Sequence, residues 1–147
     1  KMQPFSYGSI SPEALAVHGI TLDEIKTFPE PRTTYKEIAG LLAKYIDKYD
    51  KTDKFYPAGY NVDFDLQFLS KFFEKNGDKY FGSFINWRRI DPLPILYMMN
   101  LKGKIRCLNY KLQTLCEHYK IPILKAHSAL DDIRATRQII QEVLKGI

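Results

Sequence analysis

The stretch KFYPAGYNVDFDLQFLSKFF, residues 54–73, contains the change of periodicity that decides the fold. Its first part, as far as Asn61, predicts a short strand, which Pro57 weakens because proline cannot donate a hydrogen bond to a neighbouring strand. From Phe64 onward the apolar residues recur at helical spacing, which predicts a helix that ends near residues 76–77. A strand followed directly by a helix is typical of an α/β domain.

Capping residues followed by apolar repeats indicate that helices dominate the rest of the chain. The predicted helix starts are Ser11-Pro12 (ended by Gly19), Thr21 with Glu24, Thr34 with Glu37, Asp91-Pro92 and Ser128, and one more helix is predicted between Leu108 and Tyr119. A second strand is predicted within residues 81–90. Because two short strands do not make an independently stable sheet, the sequence predicts an α/β domain that lacks some strands.

The composition indicates a single globular domain of 147 residues, with a hydrophobic fraction of 45% and a charged fraction of 27%. No apolar run approaches the ~20 residues that a membrane-spanning helix needs, so we expect no membrane partner. The two cysteines, Cys107 and Cys116, are too few for a disulfide framework and lack the spacing of a zinc site. We therefore expect a cytoplasmic protein with reduced thiols.

The net charge of +5, from 22 basic and 17 acidic residues, favours polyanionic partners. Each contact with a phosphate releases condensed counterions, which makes binding to nucleic acid favourable. The basic residues form no dense run, however, and many globular domains are mildly basic. Charge alone therefore leaves nucleic-acid binding open.

Two aspartates lie at helical spacing from apolar residues. Asp65 precedes Phe68 by three residues, and Asp132 precedes Ala135 by three, so both aspartates are expected on apolar stripes. A carboxylate on a buried stripe is costly unless a cation or a metal ion compensates for its lost hydration. Asp65 also lies in the first turn of its helix, where it could form a cap together with Asn61, and both interpretations stay open.

The neighbours of Asp132 complete the second candidate site. Asp131 points about 100° away on the helix, toward Arg134, and suits a role at the solvent or in capping. The geometry therefore favours Asp132 as the functional carboxylate. His127 stands five residues before Asp132, where an isolated histidine is most often structural. Beside a carboxylate-bound metal ion, it could instead accept a proton from water near neutral pH.

Four motifs occur in an order that is typical of one enzyme family. HSALDD at 127–132 follows the pattern HxAxxD, and GYNVDFD at 59–65 has an asparagine four residues before an aspartate. VHGIT at 17–21 contains the turn HGIT, and DPL at 91–93 precedes a predicted helix. Together these motifs resemble those of the DnaQ-like, or DEDDh, 3′–5′ exonucleases. The resemblance implies an α/β, ribonuclease H-like fold and a single exonuclease domain over residues 1–147.

The resemblance also implies a reaction and a set of site residues. Members of this family use two divalent metal ions, Mg²⁺ or Mn²⁺, to hydrolyse the last phosphodiester at the 3′ end of a single-stranded nucleic acid. By this resemblance Asp65 and Asp132 are catalytic metal ligands, and His127 is the general base. Asn61 and His18 are expected to bind the substrate near the strand end. The resemblance also implies a DNA polymerase subunit as a further expected partner, for which the chain would act as the proofreading exonuclease.

The first acidic motif of that family, DxE, is absent from this sequence. The one aspartate that stands two residues before another acid is Asp63, and it belongs to the second motif with Asp65. The missing motif would lie upstream of Lys1, so we expect an N-terminally truncated domain with impaired activity and an unpaired sheet edge that favours self-association. The alternatives are a non-catalytic nucleic-acid-binding or interaction domain of the same fold, and an unrelated helical protein.

Overall fold

The computed structural model describes residues 1–122 and 129–146. Seven α-helices lie within this described part: α1 (Pro12–His18), α2 (Leu22–Lys26), α3 (Pro31–Leu42), α4 (Val62–Lys75), α5 (Leu93–Leu101), α6 (Leu112–His118) and α7 (Ala129–Lys145). Two 3₁₀ turns add Tyr7–Ser9 and Phe81–Ser83. None of these helices is long and apolar enough to cross a membrane.

The chain divides into two compact units. The first contains Lys1–Lys54 and Leu69–Phe84, and the second contains Phe55–Phe68 with the described part of Ile85–Ile147. Helix α4 begins in the second unit and continues into the first.

Local signals in the sequence predicted several helix ends correctly. Helix α1 starts at Pro12 and is followed by Gly19, whose φ of +61° is a left-handed conformation that glycine adopts without strain. The Oγ1 atom of Thr21 accepts the backbone N–H of Glu24 at 3.1 Å, which caps α2 as predicted. Helix α4 ends at Lys75, as the asparagine–glycine pair after it indicated.

Other helix boundaries differ from the predictions. Helix α3 begins at Pro31 rather than near Thr34, because proline has the φ of a first helical residue and needs no N–H partner there. The repeat that starts at Leu108 forms a helix only from Leu112, and the Leu108 side chain is fully exposed. The predicted start of α7 at Ser128 lies outside the described residues.

Aromatic rings form the core of the first unit. The Phe73 side chain is completely buried, and the rings of Tyr35, Phe81 and Phe84 lie with their centroids 5.1, 5.0 and 6.0 Å from its own. These pairs have edge-to-face geometry, which the ring quadrupoles favour. The Tyr35 hydroxyl donates to Asp78 at 2.7 Å, and this hydrogen bond raises the pKa of Tyr35 above its ordinary value.

The core of the second unit is aliphatic and lies among α5, α6 and α7. Its buried members are Leu96, Met99, Ile105, Leu115, Cys116, Ile121, Ala135, Ile139 and Val143. Helices α6 and α7 pack directly against each other. This packing positions the first turn of α7, which carries Asp131 and Asp132.

The two predicted strands are reduced to isolated parallel bridges in the described part of the chain. One bridge joins Phe55 to Ile85 and the other joins Ala58 to Ile90. The backbone oxygen of Pro57 accepts the N–H of Ile90 at 2.9 Å, but its ring nitrogen has no hydrogen to donate. Proline therefore helps to keep this pairing from extending into a regular ladder.

Two apolar stripes that the sequence predicted to be buried are partly exposed. On α4, Phe64 and Phe68 are 60% and 65% exposed, and their ring centroids lie 4.8 Å apart. On α7, Leu130, Ile133 and Leu144 are also exposed, whereas Ile139 and Val143 are buried. Helical periodicity shows which residues share a face, but it does not show what covers that face.

We expect Gly59→Ala to destabilise the protein, because a Cβ atom there would lie 2.9 Å from Cγ2 of the buried Val62 side chain. Such overpacking typically costs about 1–3 kcal/mol of unfolding free energy. The matched control is Gly40→Ala in α3, where nothing lies within 4 Å of the added methyl group. This control should stabilise the protein by about 0.5–1 kcal/mol, because alanine is the better helix former. Urea unfolding measures both changes. The expectation would be contradicted if the free energy of unfolding of Gly59→Ala were not lower than that of Gly40→Ala.

Candidate active site

The carboxylate of Asp91 determines where α4 and α5 begin. Its Oδ2 atom accepts the backbone N–H of Val62 at 3.1 Å, and its Oδ1 atom accepts that of Leu93 at 3.0 Å. These two residues are the first of their helices, so their N–H groups have no partner within the helix. A negative charge is also favourable at the positive end of each helix dipole. One side chain thereby positions the first turn of α4, which carries Asp63 and Asp65.

The two aspartates of this turn have different surroundings. A guanidinium nitrogen of Arg89 lies 2.8 Å from Oδ1 of Asp63 in a partly exposed ion pair. Within residues 1–122 and 129–146, the side chain of Asp65 makes neither an ion pair nor a hydrogen bond. Asp65 is therefore the carboxylate of this turn that remains open to a ligand.

The prediction that Asp65 lies on a buried stripe is wrong. Asp65 is exposed, as is Phe68 one turn later, so its carboxylate keeps its hydration. No cation is needed to offset a desolvation cost there. The capping interpretation is not supported either, because Asp91 rather than Asp65 accepts the first N–H of α4.

Asn61 forms the turn that leads into α4. Its φ is +54°, and its backbone oxygen accepts the N–H of Phe64 at 3.1 Å. Asparagine tolerates this left-handed conformation better than most residues do. The side chain is exposed beside the first turn of the helix, which is compatible with the predicted substrate contact.

Asp132 borders the buried face of α7, as its spacing indicated. Ala135 and Ile139 on the same stripe are buried, and Asp132 itself is half-buried. Burial raises the pKa of the Cys116 thiol on α6, and the negative charges of Asp132 and Glu117 raise it further. The Cys116 thiol therefore stays protonated within the electrostatic influence of Asp132.

Asp131 makes the ion pair that the sequence suggested. A guanidinium nitrogen of Arg134 lies 3.3 Å from Oδ1 of Asp131. The Asp131 side chain is only 18% exposed, so it is less open to solvent than predicted. Its pairing leaves Asp132 as the better candidate for a ligand.

The structure brings only some of the predicted site residues into one unit. Asn61, Asp65 and Asp132 belong to the second unit. His18 is the last residue of α1, in the first unit, and its side chain is not among those described. His127 lies outside the described residues.

Two carboxylates are the right kind of donor for a hard divalent cation, which prefers oxygen ligands. In the described part of the chain, however, no group of three or more His, Cys, Asp or Glu residues could hold a metal ion. The two carboxylates are therefore donors of the right kind for Mg²⁺ or Mn²⁺. They are too few to complete the ligand set of such an ion.

The comparison with protein families decides the class of the protein. A family model described as an exonuclease matches residues 2–140. The chain belongs to this exonuclease family. Membership confirms the expectation from the motifs and is consistent with the DnaQ-like exonucleases. No curated protein gives a significant match.

Family membership has three consequences for this exonuclease-family chain. It implies a ribonuclease H-like fold, with which the helix-rich structure is compatible. It supports a nuclease function, with nucleic acid as the substrate class. It also indicates divalent metals, which exonucleases of this family generally use.

Sequence reasoning missed two features of this site. Asp91 was predicted to cap one helix, and its second contact, with α4, depends on a residue 29 positions away. The pairing of Arg89 with Asp63 is equally non-local. The two consecutive arginines at 88–89 were the one signal in the sequence that could have drawn attention to this segment.

We expect Asp91→Ala to lower the free energy of unfolding by about 1–3 kcal/mol, because two N–H groups lose their acceptor and Val62 is buried. Asp91→Asn keeps an amide oxygen as acceptor and should cost less. The control Asp63→Asn removes only a partly exposed ion pair, and such pairs contribute about 0–1 kcal/mol. Chemical unfolding monitored by circular dichroism ranks the three variants. Equal losses for Asp91→Ala and Asp63→Asn would show that Asp91 does not position the helices.

Proposed function

We propose that this chain is a 3′–5′ exonuclease domain for DNA or RNA, of the type that releases nucleoside 5′-monophosphates with the help of two divalent metal ions, and that its own activity is impaired because the sequence lacks the first acidic motif. The family match over residues 2–140 carries this proposal. It is supported by Asp65 and Asp132, which stand in the first turns of α4 and α7 in the same unit. The proposed setting is a cytoplasmic proofreading activity beside a DNA polymerase subunit.

In this proposal Asp65 and Asp132 hold the metal ions through carboxylate oxygens. When bound, such ions supply an activated water and stabilise the attacking and leaving oxygens of the phosphodiester. His127 accepts the proton of the attacking water, and Asn61 and His18 contact the nucleotide at the strand end. These roles follow the motif positions, and the exposure of Asp65 is compatible with the approach of a strand end.

The environment of Asp132 favours a hard cation. Its carboxylate supplies oxygen donors, which Mg²⁺ and Mn²⁺ prefer. Burial and the charge of Asp132 raise the pKa of the Cys116 thiol, so this thiol is neutral in the protein without metal. The proposed metal ions are accordingly Mg²⁺ or Mn²⁺.

A second candidate is a non-catalytic nucleic-acid-binding or interaction domain of the same fold. Two observations favour it: the sequence contains no DxE motif, and the described residues contain no complete group of metal ligands. Both candidates predict binding to nucleic acid, and only the first predicts hydrolysis, at an impaired rate in this chain. Self-association through a sheet edge that missing strands would leave unpaired is a further proposal that fits either candidate.

We expect the 147-residue chain to release little or no mononucleotide from a single-stranded oligonucleotide in the presence of Mn²⁺. The reason is that the acidic residues in this sequence supply only part of the ligands that a metal pair needs. The released nucleotides are separated and quantified by chromatography, with EDTA as the negative control. Robust metal-dependent release would contradict the expected impairment, and it would rule out the non-catalytic candidate.

We expect Asp65→Asn and Asp132→Asn to weaken Mn²⁺ binding, and their neighbours supply matched controls. Asp63→Asn and Asp131→Asn remove the same charge on the same turns, but each of these residues is paired with an arginine. Electron paramagnetic resonance of free Mn²⁺ measures binding even if turnover is slow. Equal effects of all four substitutions would indicate general charge rather than ligation.

Where turnover is measurable, His127→Ala should lower it about a hundredfold or more, and an unchanged rate would remove His127 from its proposed role.

A further inference from the structure

Residues 86–89 protrude from the pair of bridged segments in the second unit. Between the two bridges, one segment uses only Tyr56 and Pro57, whereas the other uses the four residues from Asn86 to Arg89. Both ends are anchored, because the N–H of Asn86 donates to Phe55 at 2.8 Å and that of Ile90 donates to Pro57 at 2.9 Å. The extra length on one side forces this segment outward. We call residues 86–89 the protruding loop.

The protruding loop presents a tryptophan and an arginine together. The Trp87 side chain is 77% exposed, and the Arg88 guanidinium carbon lies 5.6 Å from the centroid of its ring. Asn86 Oδ1 accepts the N–H of Arg88 at 2.9 Å, which fixes the turn from within. The turn thereby presents an indole face and a guanidinium side by side to solvent, a pair that can bind a ligand which carries both an aromatic and an anionic group.

The charges of the protruding loop indicate what that ligand is. Arg89 is neutralised by Asp63, whereas Arg88 has no ion pair with a carboxylate in the described residues. A positive charge therefore remains beside the exposed indole. An apolar protein partner would have to strip water from Arg88 without compensation. A single-stranded nucleic acid offers a base that stacks on the ring and a phosphate that accepts from the guanidinium.

We infer that Trp87 and Arg88 form a binding subsite for single-stranded nucleic acid, in which one base stacks on the indole and a neighbouring phosphate binds Arg88. This inference rests on the proposed function, because it takes a nucleic acid strand as the ligand. Arg89 links the loop to Asp63, two residues before Asp65 on the same turn. The subsite thus holds the body of the strand, and Asp65 belongs to the site of hydrolysis.

Trp87 is the one tryptophan in the sequence, so its fluorescence reports on this subsite alone. The 147-residue chain is titrated with oligothymidylate or oligouridylate in EDTA, which separates binding from hydrolysis. Excitation is at a wavelength that tyrosine does not absorb. We expect the tryptophan emission to be quenched by the stacked base. The quenching should follow the same saturation curve as the anisotropy of a fluorescein-labelled oligonucleotide.

Five variants separate stacking from charge. Trp87→Ala should weaken binding about 5- to 100-fold, the usual effect of removing one base–aromatic stack, and Trp87→Phe should retain most of the affinity. Arg88→Gln should weaken binding and make the slope of log K against log salt shallower by about 0.7. Its matched control is Arg137→Gln on the exposed side of α7, which should leave the slope unchanged. Tyr80→Ala, which truncates another exposed aromatic ring, controls for Trp87→Ala.

The outcomes distinguish this subsite from the proposed function. An anisotropy increase without a change in tryptophan emission would overturn the subsite, and nucleic acid would remain the substrate class. Loss of binding in Trp87→Ala with an unchanged melting temperature would support the subsite. If the unmodified chain gave no anisotropy change at all, the subsite would be overturned as well. The Mn²⁺ binding of Asp65→Asn and Asp132→Asn then tests the proposed exonuclease site separately.

Discussion

The carboxylate of Asp91 is the constraint on which the second unit depends most. Both of its oxygens are used, one on the first N–H of α4 and one on the first N–H of α5. Water cannot easily replace it at Val62, because that residue is buried. A shorter or neutral side chain could satisfy one helix start, whereas an aspartate satisfies two and adds a charge that suits both dipoles. The position of every acidic side chain on the first turn of α4 follows from this contact.

The residues around Asp91 restrict the chain from the other side. Gly59 lies so close to Val62 that a Cβ atom would not fit, and its N–H donates to Ile90 at 3.0 Å. Asn61 then reverses the backbone in a left-handed conformation before α4 begins. Gly59 and Asn61 thus act through their backbone conformations, and they lead the chain to Val62, whose N–H donates to Asp91. Stability and site geometry depend on the same few contacts.

Local signals in the sequence predicted much of this fold. They could not predict which distant elements of the chain cover each helix face. The caps at Thr21 and Gly19 involve neighbours in the chain, so sequence spacing was enough to identify them. The stripe through Asp65 and Phe68 was also real, but both residues are exposed. Burial depends on which element packs against a face, and periodicity contains no information about that element. The order of the motifs indicated the family correctly, because that order is contained in the sequence itself. The contact of Arg89 with Asp63 joins distant residues and required the structure.

The pairing of Arg89 with Asp63 also bears on how a polyanion could reach an acidic turn. A phosphate that approaches Asp65 would otherwise meet two negative charges on one helical turn, and like charges at such distances repel. Arg89 offsets one of them, and Arg88 adds a positive charge on the adjacent protruding loop. Asp65 can then present its carboxylate to a cation without a second unpaired acid beside it. Asp131 and Arg134 repeat this arrangement next to Asp132 on α7. In both turns, therefore, one acid is paired with an arginine, and the other has no side-chain partner among the described residues.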